Sequence, residues 1–161
     1  MITIRPATVN DQNKVWNIIN EVIGTSKYYA FHPGTGKETM LAYWFGEDKK
    51  TYVAIMEDQI AGTFILRDNQ PGLGNHIANA SYMTSPAFSS RGVGTAMAEY
   101  SFKEAKELGY RALQFNLVLK SNTRAVNLWL RLGFGIIGEI PGAFRDPENG
   151  FTDAYIMFKS L

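Results

Sequence analysis

A chain of 161 residues with 45% hydrophobic content can fill one core, so we expect a single domain over residues 1–161. Its net charge of +1 provides no single-sign field that would attract nucleic acid. The absence of cysteine excludes disulfides, thiolate metal sites and a Cys nucleophile, and we expect no bound metal. The N-terminus lacks a signal-peptide pattern, and no apolar stretch reaches the ~20 residues that span a membrane. We therefore expect a cytoplasmic protein without a membrane partner.

The first third of the chain predicts a strand and two helices. Apolar and polar residues alternate over residues 2–5, and Thr8 with Asp11 is typical of a capped helix start. The helix that follows carries apolar residues at helical spacing: Val15, Ile18, Ile19 and Val22. An aromatic segment over residues 24–36 interrupts regular structure, and a short helix around Trp44 is expected after it.

The middle of the chain predicts three strands and a long helix. Residues 51–56 and 60–67 are expected to pair as a hairpin around a tight turn. A third strand is expected over residues 76–84. From Gly92 the apolar pattern changes to that of a helix, which Gly109 ends.

The last third predicts a strand, a helix and two further strands. The strand at 112–119 is expected to place these residues on one side: Leu113, Phe115, Leu117 and Leu119. The helix after it is expected to point these residues inward: Ala125, Leu128, Trp129 and Leu132. Strands near 134–139 and 152–158 follow, separated by a Pro- and Gly-rich loop. This element order predicts an α/β (α+β) fold, a mixed sheet with helices on its faces. A homodimer paired through the last strands is compatible with the sequence.

The first chemical motif lies between a strand and a long helix and reads Ser89-Ser90-Arg91-Gly92-Val93-Gly94. Glycine lets the backbone approach a ligand closely, and free N–H groups at a helix N-terminus bind phosphate. The motif therefore indicates a pyrophosphate site, although an ordinary turn before a helix has the same pattern. It is neither a Walker loop nor a G-x-G-x-x-G dinucleotide motif.

The second motif begins about one helix and one strand later and consists of Asn122, Ala125, Leu128, Trp129, Gly133 and Phe134. Its apolar members alone would be compatible with a core role. In combination, the two motifs resemble the acetyl-CoA signatures of the GNAT superfamily, Gln/Arg-x-x-Gly-x-Gly/Ala and Asn-x-x-Ala-x-x-Leu-Tyr-x-x-x-Gly-Phe. The resemblance covers the element order of nearly the whole chain. It implies the GNAT fold, a central, mixed, mostly antiparallel seven-stranded sheet flanked by about four helices.

The resemblance also implies an activity. It predicts an acyl-CoA-dependent N-acetyltransferase that transfers acetyl from acetyl-CoA, its only cofactor, to a small-molecule amine by direct attack on the thioester. A protein or peptide N-acetyltransferase and a non-catalytic CoA-binding module are the alternatives. The cofactor-binding residues that it implies are Met83, Thr84, Ser89, Ser90, Arg91, Gly92, Val93, Gly94, Thr95, Asn122, Ala125, Leu128 and Trp129. Catalysis is assigned to Asn116 and to a backbone N–H near Met83, aimed at the thioester carbonyl oxygen.

Two residues depart from the family pattern. Ser89 stands where Gln or Arg is usual, and Arg91 is expected to supply the missing charge. Trp129 occupies the position where many members have a Tyr that protonates the departing thiolate. Because an indole N–H is not an acid at neutral pH, we expect Trp129 to pack against the cofactor or the core. No Asp or Glu lies in the strand at 76–84, so we assign no general base.

The acceptor side is predicted from two asparagines, Asn79 and Asn116, both expected to be partly buried. They either satisfy backbone groups where the sheet splays or contact the acceptor. The second role is implied by a resemblance of their strands to a GNAT branch that includes fungal acetyltransferases of proline analogues such as azetidine-carboxylate. Arg145, in the last loop, is expected either to meet a substrate carboxylate or to be solvated. Tyr29 and Phe31 are expected to shape an apolar acceptor pocket.

Overall fold

The computed structural model describes residues 1–161 and contains seven strands and four α-helices. In chain order the elements are β1 (Ile2–Pro6), α1 (Gln12–Gly24), α2 (Lys37–Trp44), β2 (Lys49–Met56), β3 (Gln59–Asp68), β4 (Ile77–Thr84), α3 (Val93–Glu107), β5 (Ala112–Leu119), α4 (Thr123–Arg131), β6 (Gly135–Asp146) and β7 (Gly150–Ser160). The predicted fold class, a mixed and mostly antiparallel seven-stranded sheet with four helices, is confirmed. None of the helices combines the length and apolar character needed to cross a membrane.

The start of α1 is fixed by the predicted pair of Thr8 and Asp11. The Asp11 carboxylate accepts a hydrogen bond from the Thr8 N–H at 2.7 Å. It also forms an ion pair with Arg5 at 2.8 Å, which lowers the pKa of Asp11 to about 2 although the side chain is buried. This arrangement ties the entry of α1 to the end of β1.

The strand order in the sheet is β1-β2-β3-β4-β5-β7-β6. All neighbouring strands are antiparallel except β4 and β5, which pair only at Ile77↔Ala112 and Ala78↔Leu113. Beyond Ala78 and Leu113 the two strands have no paired residues. The sheet therefore splays between β4 and β5, and this opening sets the position of the cleft described below.

Two hydrophobic clusters cover the two faces of the sheet. Successive strand residues point to opposite faces, so Phe64 of β3 belongs to the cluster with α3 and α4, whereas Ile65 belongs to the cluster with α1 and α2. In β4, Tyr82 packs with the first cluster and Met83 lies in the second. Side chains from both faces of the sheet can therefore line the opening between β4 and β5.

The predicted alternation in β5 is wrong at its centre. The register against β7 shifts between Phe115 and Val118, so that Val118 joins the same core cluster as Phe115. The bulge leaves Asn116 exposed, whereas alternation predicted a partly buried amide on the face shared with Val118. It also separates Leu117 from the core face on which we expected it.

The last hairpin is longer than predicted. β6 continues to Asp146 through Pro141 and Gly142, with a register shift between Ile140 and Phe144, so the expected loop is part of a strand. Because β6 is an edge strand, Pro141 can lack a backbone N–H without interrupting the hydrogen bonds between inner strands. Arg145 consequently lies in β6, paired with Phe151 of β7, and not in a loop.

Candidate active site

A cleft of about 1160 Å³ lies where β4 and β5 separate. One end, which we call the helix half, is formed by the N-termini of α3 and α4 together with the end of β4. The other end, the aromatic half, is formed by Tyr29, Phe31, Tyr43, Arg67, Asn79 and Asn116. The cleft collects nearly all predicted site residues: Tyr29, Phe31, Asn79, Met83, Thr84, Ser89, Ser90, Gly92, Val93, Gly94, Thr95, Asn116, Asn122, Ala125, Leu128 and Trp129. Arg91 and Arg145 are not among its lining residues.

The helix half presents unpaired backbone amides. Gly92 adopts the left-handed conformation, with φ of 85°, immediately before α3. The first α-helical hydrogen bond runs from the Ala96 N–H to the Gly92 C=O, and the N–H groups of Val93, Gly94 and Thr95 have no partner in the chain. Such amides, at the positive end of the helix dipole, form an anion-binding site.

Gly94 leaves this site open to a ligand. A Cβ atom built there would meet only Leu128 and Thr84, each at 3.9 Å, and both of these residues line the cleft. A larger side chain at this position would therefore occupy the cleft and would not collide with the protein core.

Arg124 brings positive charge to this end of the cleft, whereas Arg91, which was expected to supply it, is not among the lining residues. The Arg91 guanidinium forms an ion pair with Glu57 and lies 5.2 Å from the centre of the Phe88 ring, outside the cleft lining. Arg124 lines the cleft and donates to the hydroxyls of Ser89 and Ser90, each at 3.0 Å. In the sequence it is an unspecified position two residues after Asn122, so the motif gave no signal for it.

Asn122 holds α4 in place. Its side-chain oxygen accepts a hydrogen bond from the Ala125 N–H at 3.3 Å, which caps the helix. The cap fixes the first turn of α4 beside the cleft, where Arg124 and Leu128 line the wall.

The backbone donors of β4 differ by one residue from the prediction. The Ser85 N–H donates to the Ala61 C=O at 2.8 Å, and bonded positions recur at every second residue of an antiparallel ladder. The Met83 N–H therefore points to β3, away from the cleft. The backbone groups of Tyr82 and Thr84 face the splay, so the predicted Met83 donor is corrected to these neighbours.

Trp129 packs in the core, one of the two places that its indole chemistry predicted. Its ring centre lies 4.6 Å from that of Phe115 and 5.1 Å from that of Tyr82, and the residue is 8% exposed. The same side chain forms part of the cleft wall.

The aromatic half is covered by the segment between α1 and α2. Phe31 contacts Tyr43 edge to face, with ring centres 5.2 Å apart. Burial raises the pKa of the Tyr29 phenol, and burial likewise raises the pKa of Tyr82, so each phenol is a weaker acid than an ordinary tyrosine.

The ionisable side chains of the cleft, tyrosines apart, are Arg67, Arg124 and Arg131, and its lining contains no Asp, Glu or His. Both histidines are exposed and lie outside the cleft lining, as expected. No group of three or more His, Cys, Asp or Glu side chains is placed to hold a metal.

Asn79 bridges the two strands at the start of the splay. Its Nδ2 donates to the Gln114 C=O of β5 at 2.9 Å, one residue beyond the last β4–β5 pair. This is the backbone-satisfying role that the sequence offered as one interpretation. The amide is 7% exposed and also lines the cleft, so its Oδ1 remains available to a ligand.

Asn116 lies at the outer rim of the aromatic half. It accepts a hydrogen bond from Gln114 Nε2 at 3.0 Å and donates to Asn69 Oδ1 at 2.8 Å. Both ends of its amide are therefore engaged with neighbouring side chains on the surface.

Arg67 is the cleft residue in this half that the sequence analysis missed. It lies near the end of the buried strand β3, and a charged residue at a strand end gives no signal of a site. Arg145, which was expected to reach the acceptor or to be solvated, is exposed, with its guanidinium 5.7 Å from the centre of the Phe151 ring.

Comparison with known proteins agrees with this geometry. Residues 15–134 match the model of the acetyltransferase (GNAT) family. A segment of 98 residues is 36% identical to N-acetyltransferase aca1 of Schizosaccharomyces pombe and covers 60% of this chain, but only about half (47%) of that relative.

Solved structures extend the likeness to the complete fold. A GCN5-related N-acetyltransferase from Kribbella flavida is 34% identical, with a TM-score of 0.93 over 99% of this chain and 98% of that one. The structure of yncA from Salmonella typhimurium with its cofactor acetyl-CoA shares the fold at 19% identity, with a TM-score of 0.87 over 100% of this chain and 94% of that one. The chain belongs to the GNAT family of acetyltransferases.

Proposed function

We propose that this protein transfers an acetyl group from acetyl-CoA to the amine of a small molecule, an amino acid or a related amine. The observation that carries the proposal is the cleft in the β4–β5 splay, with unpaired helix amides at one end and an aromatic pocket without carboxylates at the other. The family, and a relative named as an N-acetyltransferase, support acetyl transfer.

The residues of the helix half fit acetyl-CoA. The free amides at Val93, Gly94 and Thr95 would bind the pyrophosphate, and Arg124 would add charge beside them. The backbone groups of Tyr82 and Thr84 would pair with the amides of the pantetheine arm.

Bound acetyl-CoA would supply the thioester: the amine nitrogen would bond to its carbonyl carbon, the C–S bond would break with its electron pair going to sulfur, and the nitrogen would lose one proton to water. The acceptor must arrive as a neutral amine or lose a proton to water, because the cleft offers no carboxylate or imidazole to accept it. The chain's own contribution is to hold the two reactants in line. The leaving thiolate takes its proton from solvent, since Trp129 is no acid.

The aromatic half supports a small acceptor. Tyr29, Phe31 and Tyr43 supply apolar surface, Asn79 offers an amide oxygen, and the only charge is positive. This composition opposes a polycation such as spermidine or a Lys-rich peptide, because like charges repel and no acidic residue compensates them.

A thiol-release assay with a panel of amines tests the proposal. The panel contains small amino acids, cyclic secondary amines such as azetidine-2-carboxylate, spermidine and a Lys-rich peptide. We expect thiol release to be fastest with the small amino acids. Faster release with the peptide would favour a protein acetyltransferase, and CoA binding without release under any condition would favour a non-catalytic binding module.

A further inference from the structure

Arg67 is the only cation that lines the aromatic half, and the cleft lining contains no carboxylate to pair with it. Its guanidinium carbon lies 6.0 Å from the centre of the Tyr43 ring. Its Nε atom is buried and has no hydrogen-bond partner, and Arg67 takes part in no ion pair of the chain. Since buried polar atoms nearly always have a partner, this guanidinium is prepared for one that enters from the cleft.

The sheet register makes the unpaired charge more costly. Arg67 stands directly opposite Lys49 on β2, and like charges at directly paired positions repel. The pKa of the Asp48 carboxyl is lowered chiefly by its hydrogen bond with Lys49, at 2.8 Å, and also by the charge of Arg67, but Asp48 forms no ion pair with Arg67. An anion bound in the cleft would relieve this repulsion.

On its other side in the sheet, Arg67 is directly paired with Asn79 of β4. Directly opposite residues in a bonded antiparallel pair have Cα atoms about 5.5 Å apart, and their side chains point to the same face. The Asn79 Nδ2 is committed to Gln114, whereas its Oδ1 accepts no hydrogen bond from the chain. Arg67 and Asn79 are therefore neighbours on one face of the sheet, and the Oδ1 atom of Asn79 and the guanidinium of Arg67 form no hydrogen bond with each other.

We infer that Arg67 binds the carboxylate of the acceptor and thereby selects amino acids over simple amines. An amine with a carboxylate on the adjacent carbon matches the pair: its N–H is donated to Asn79 Oδ1, and its carboxylate pairs with the fork of Arg67. The inference rests on the proposed acetyl transfer and replaces Arg145, which lies outside the cleft lining, in the role of carboxylate partner.

The test compares each amino acid with its own carboxamide. The probes are L-proline with L-prolinamide and L-alanine with L-alaninamide, and the measured quantity is the ratio of kcat/KM for acid over amide. Comparing this ratio between wild type and variant cancels the difference in amine pKa between the probes. Arg67→Gln should lower the ratio roughly ten- to a hundredfold, the scale of a lost hydrogen bond to a charged group.

Control variants separate the site from general charge effects. Lys50→Gln removes an exposed positive charge from the neighbouring strand β2, outside the cleft lining, and should leave the ratio unchanged. Arg67→Lys keeps the charge but loses the planar fork, so its ratio should lie between those of wild type and Arg67→Gln. The Kd for CoA and the thermal unfolding midpoint show that each variant is folded.

The two proposals fail in different ways. If wild type releases no thiol with these four probes or with any other small amine of the panel, the proposed function is wrong, and the role of Arg67 falls with it. If wild type is active but Arg67→Gln and Arg67→Lys both keep the wild-type ratio, the role of Arg67 is wrong and acetyl transfer stands. An equal loss in Lys50→Gln would also overturn it.

Discussion

The two halves of the cleft present different parts of the chain to a ligand. The helix half presents backbone amides at Val93, Gly94 and Thr95, and its side chains add one arginine above them. The aromatic half presents side chains almost exclusively: three rings, two asparagines and Arg67. Backbone amides are the same for every residue, so a site made of them tolerates Ser89 in place of Gln or Arg. A site made of side chains can instead be specific for one acceptor.

This difference predicts how each half responds to substitution. In the helix half, the damaging changes should be those that block the approach of the ligand to the backbone. In the aromatic half, they should be truncations of single polar groups. Cofactor affinity and acceptor kinetics should therefore separate cleanly between variants of the two halves.

The largest effect is expected for Gly94→Val. Its side chain would project between Leu128 and Thr84 into the cleft and keep phosphate from the α3 amides. Losing at least one hydrogen bond to a charged group, about 1.5 to 3 kcal/mol, should weaken CoA binding roughly ten- to a hundredfold by calorimetry. Gly92 is a poorer test, because its φ of 85° strains any other residue.

Gly135→Val is the matched control, since no atom lies within 4 Å of the Cβ built there and the residue belongs to the edge strand β6. It should retain the wild-type affinity for CoA. A folded Gly94→Val variant with unchanged affinity for CoA would contradict the prediction that the backbone amides of the helix half bind its phosphates.

The next effect distinguishes two arginines. Arg124→Gln should weaken CoA binding by roughly fivefold to tenfold, about 1 to 1.4 kcal/mol, because it removes the charge beside the Ser89 and Ser90 hydroxyls. Arg91→Gln should change the affinity less than about twofold, since this exposed side chain pairs with Glu57 and lies outside the cleft lining. Titration calorimetry at low and high salt measures both. A larger loss in Arg91→Gln would reverse the assignment.

A smaller effect should separate the two asparagines. Asn79→Ala removes a buried amide and should lower the acceptor kcat/KM roughly two- to tenfold, the scale of a neutral hydrogen bond of about 0.5 to 1.5 kcal/mol. Asn116→Ala, at the exposed rim, should fall at the lower end of that range or below it. The Kd for CoA should stay within about twofold in both. Loss of CoA affinity with normal acceptor kinetics would assign these asparagines to the cofactor instead.

The same contrast explains what the sequence could predict. The helix half is built from two short segments, and each is contiguous in sequence. A glycine turn and a capped helix each position most of their own atoms, so two short motifs predicted Gly92, Gly94 and Asn122. Arg124 was missed because its role depends on a contact with Ser89 and Ser90, more than thirty residues away.

The aromatic half joins segments that are distant in sequence, and its details depend on strand register. The burial predicted for Asn116 from alternation was wrong because a bulge shifts the register of β5. The sequence of β4 alone does not show which of its N–H groups bond to β3, so Met83 was named in place of its neighbours. Arg145 was expected in a loop near the acceptor because a Pro-Gly pair was interpreted as a loop, whereas the edge strand continues through it. Only the sheet shows that Arg67 is paired with Asn79.

The smallest effect is expected for Trp129→Phe, at a residue that lies in the wall of the helix half. Because the cleft contains no carboxylate or imidazole, kcat/KM should rise with pH until the acceptor's own amine is neutral. Trp129→Phe keeps an aromatic ring against Phe115 and Tyr82 and removes only a non-ionising N–H. Its pH profile should therefore match that of wild type, with the inflection at the pKa of the chosen amine.

Trp129→Tyr places a phenol where many relatives have one, and it should preserve or raise turnover, by at most the ~10²- to 10⁴-fold that a general acid contributes. The pH profiles of kcat/KM, measured with two amines of different pKa, separate titration of the substrate from titration of the protein. An inflection that moves with the pKa of the amine belongs to the substrate. If the Trp129→Phe profile loses an inflection that both amines share in wild type, a protein group is titrating through Trp129, and its role as a packing residue fails. If only the amplitude changes, and the thermal midpoint falls with it, the indole acts by packing alone, as its burial against Phe115 requires.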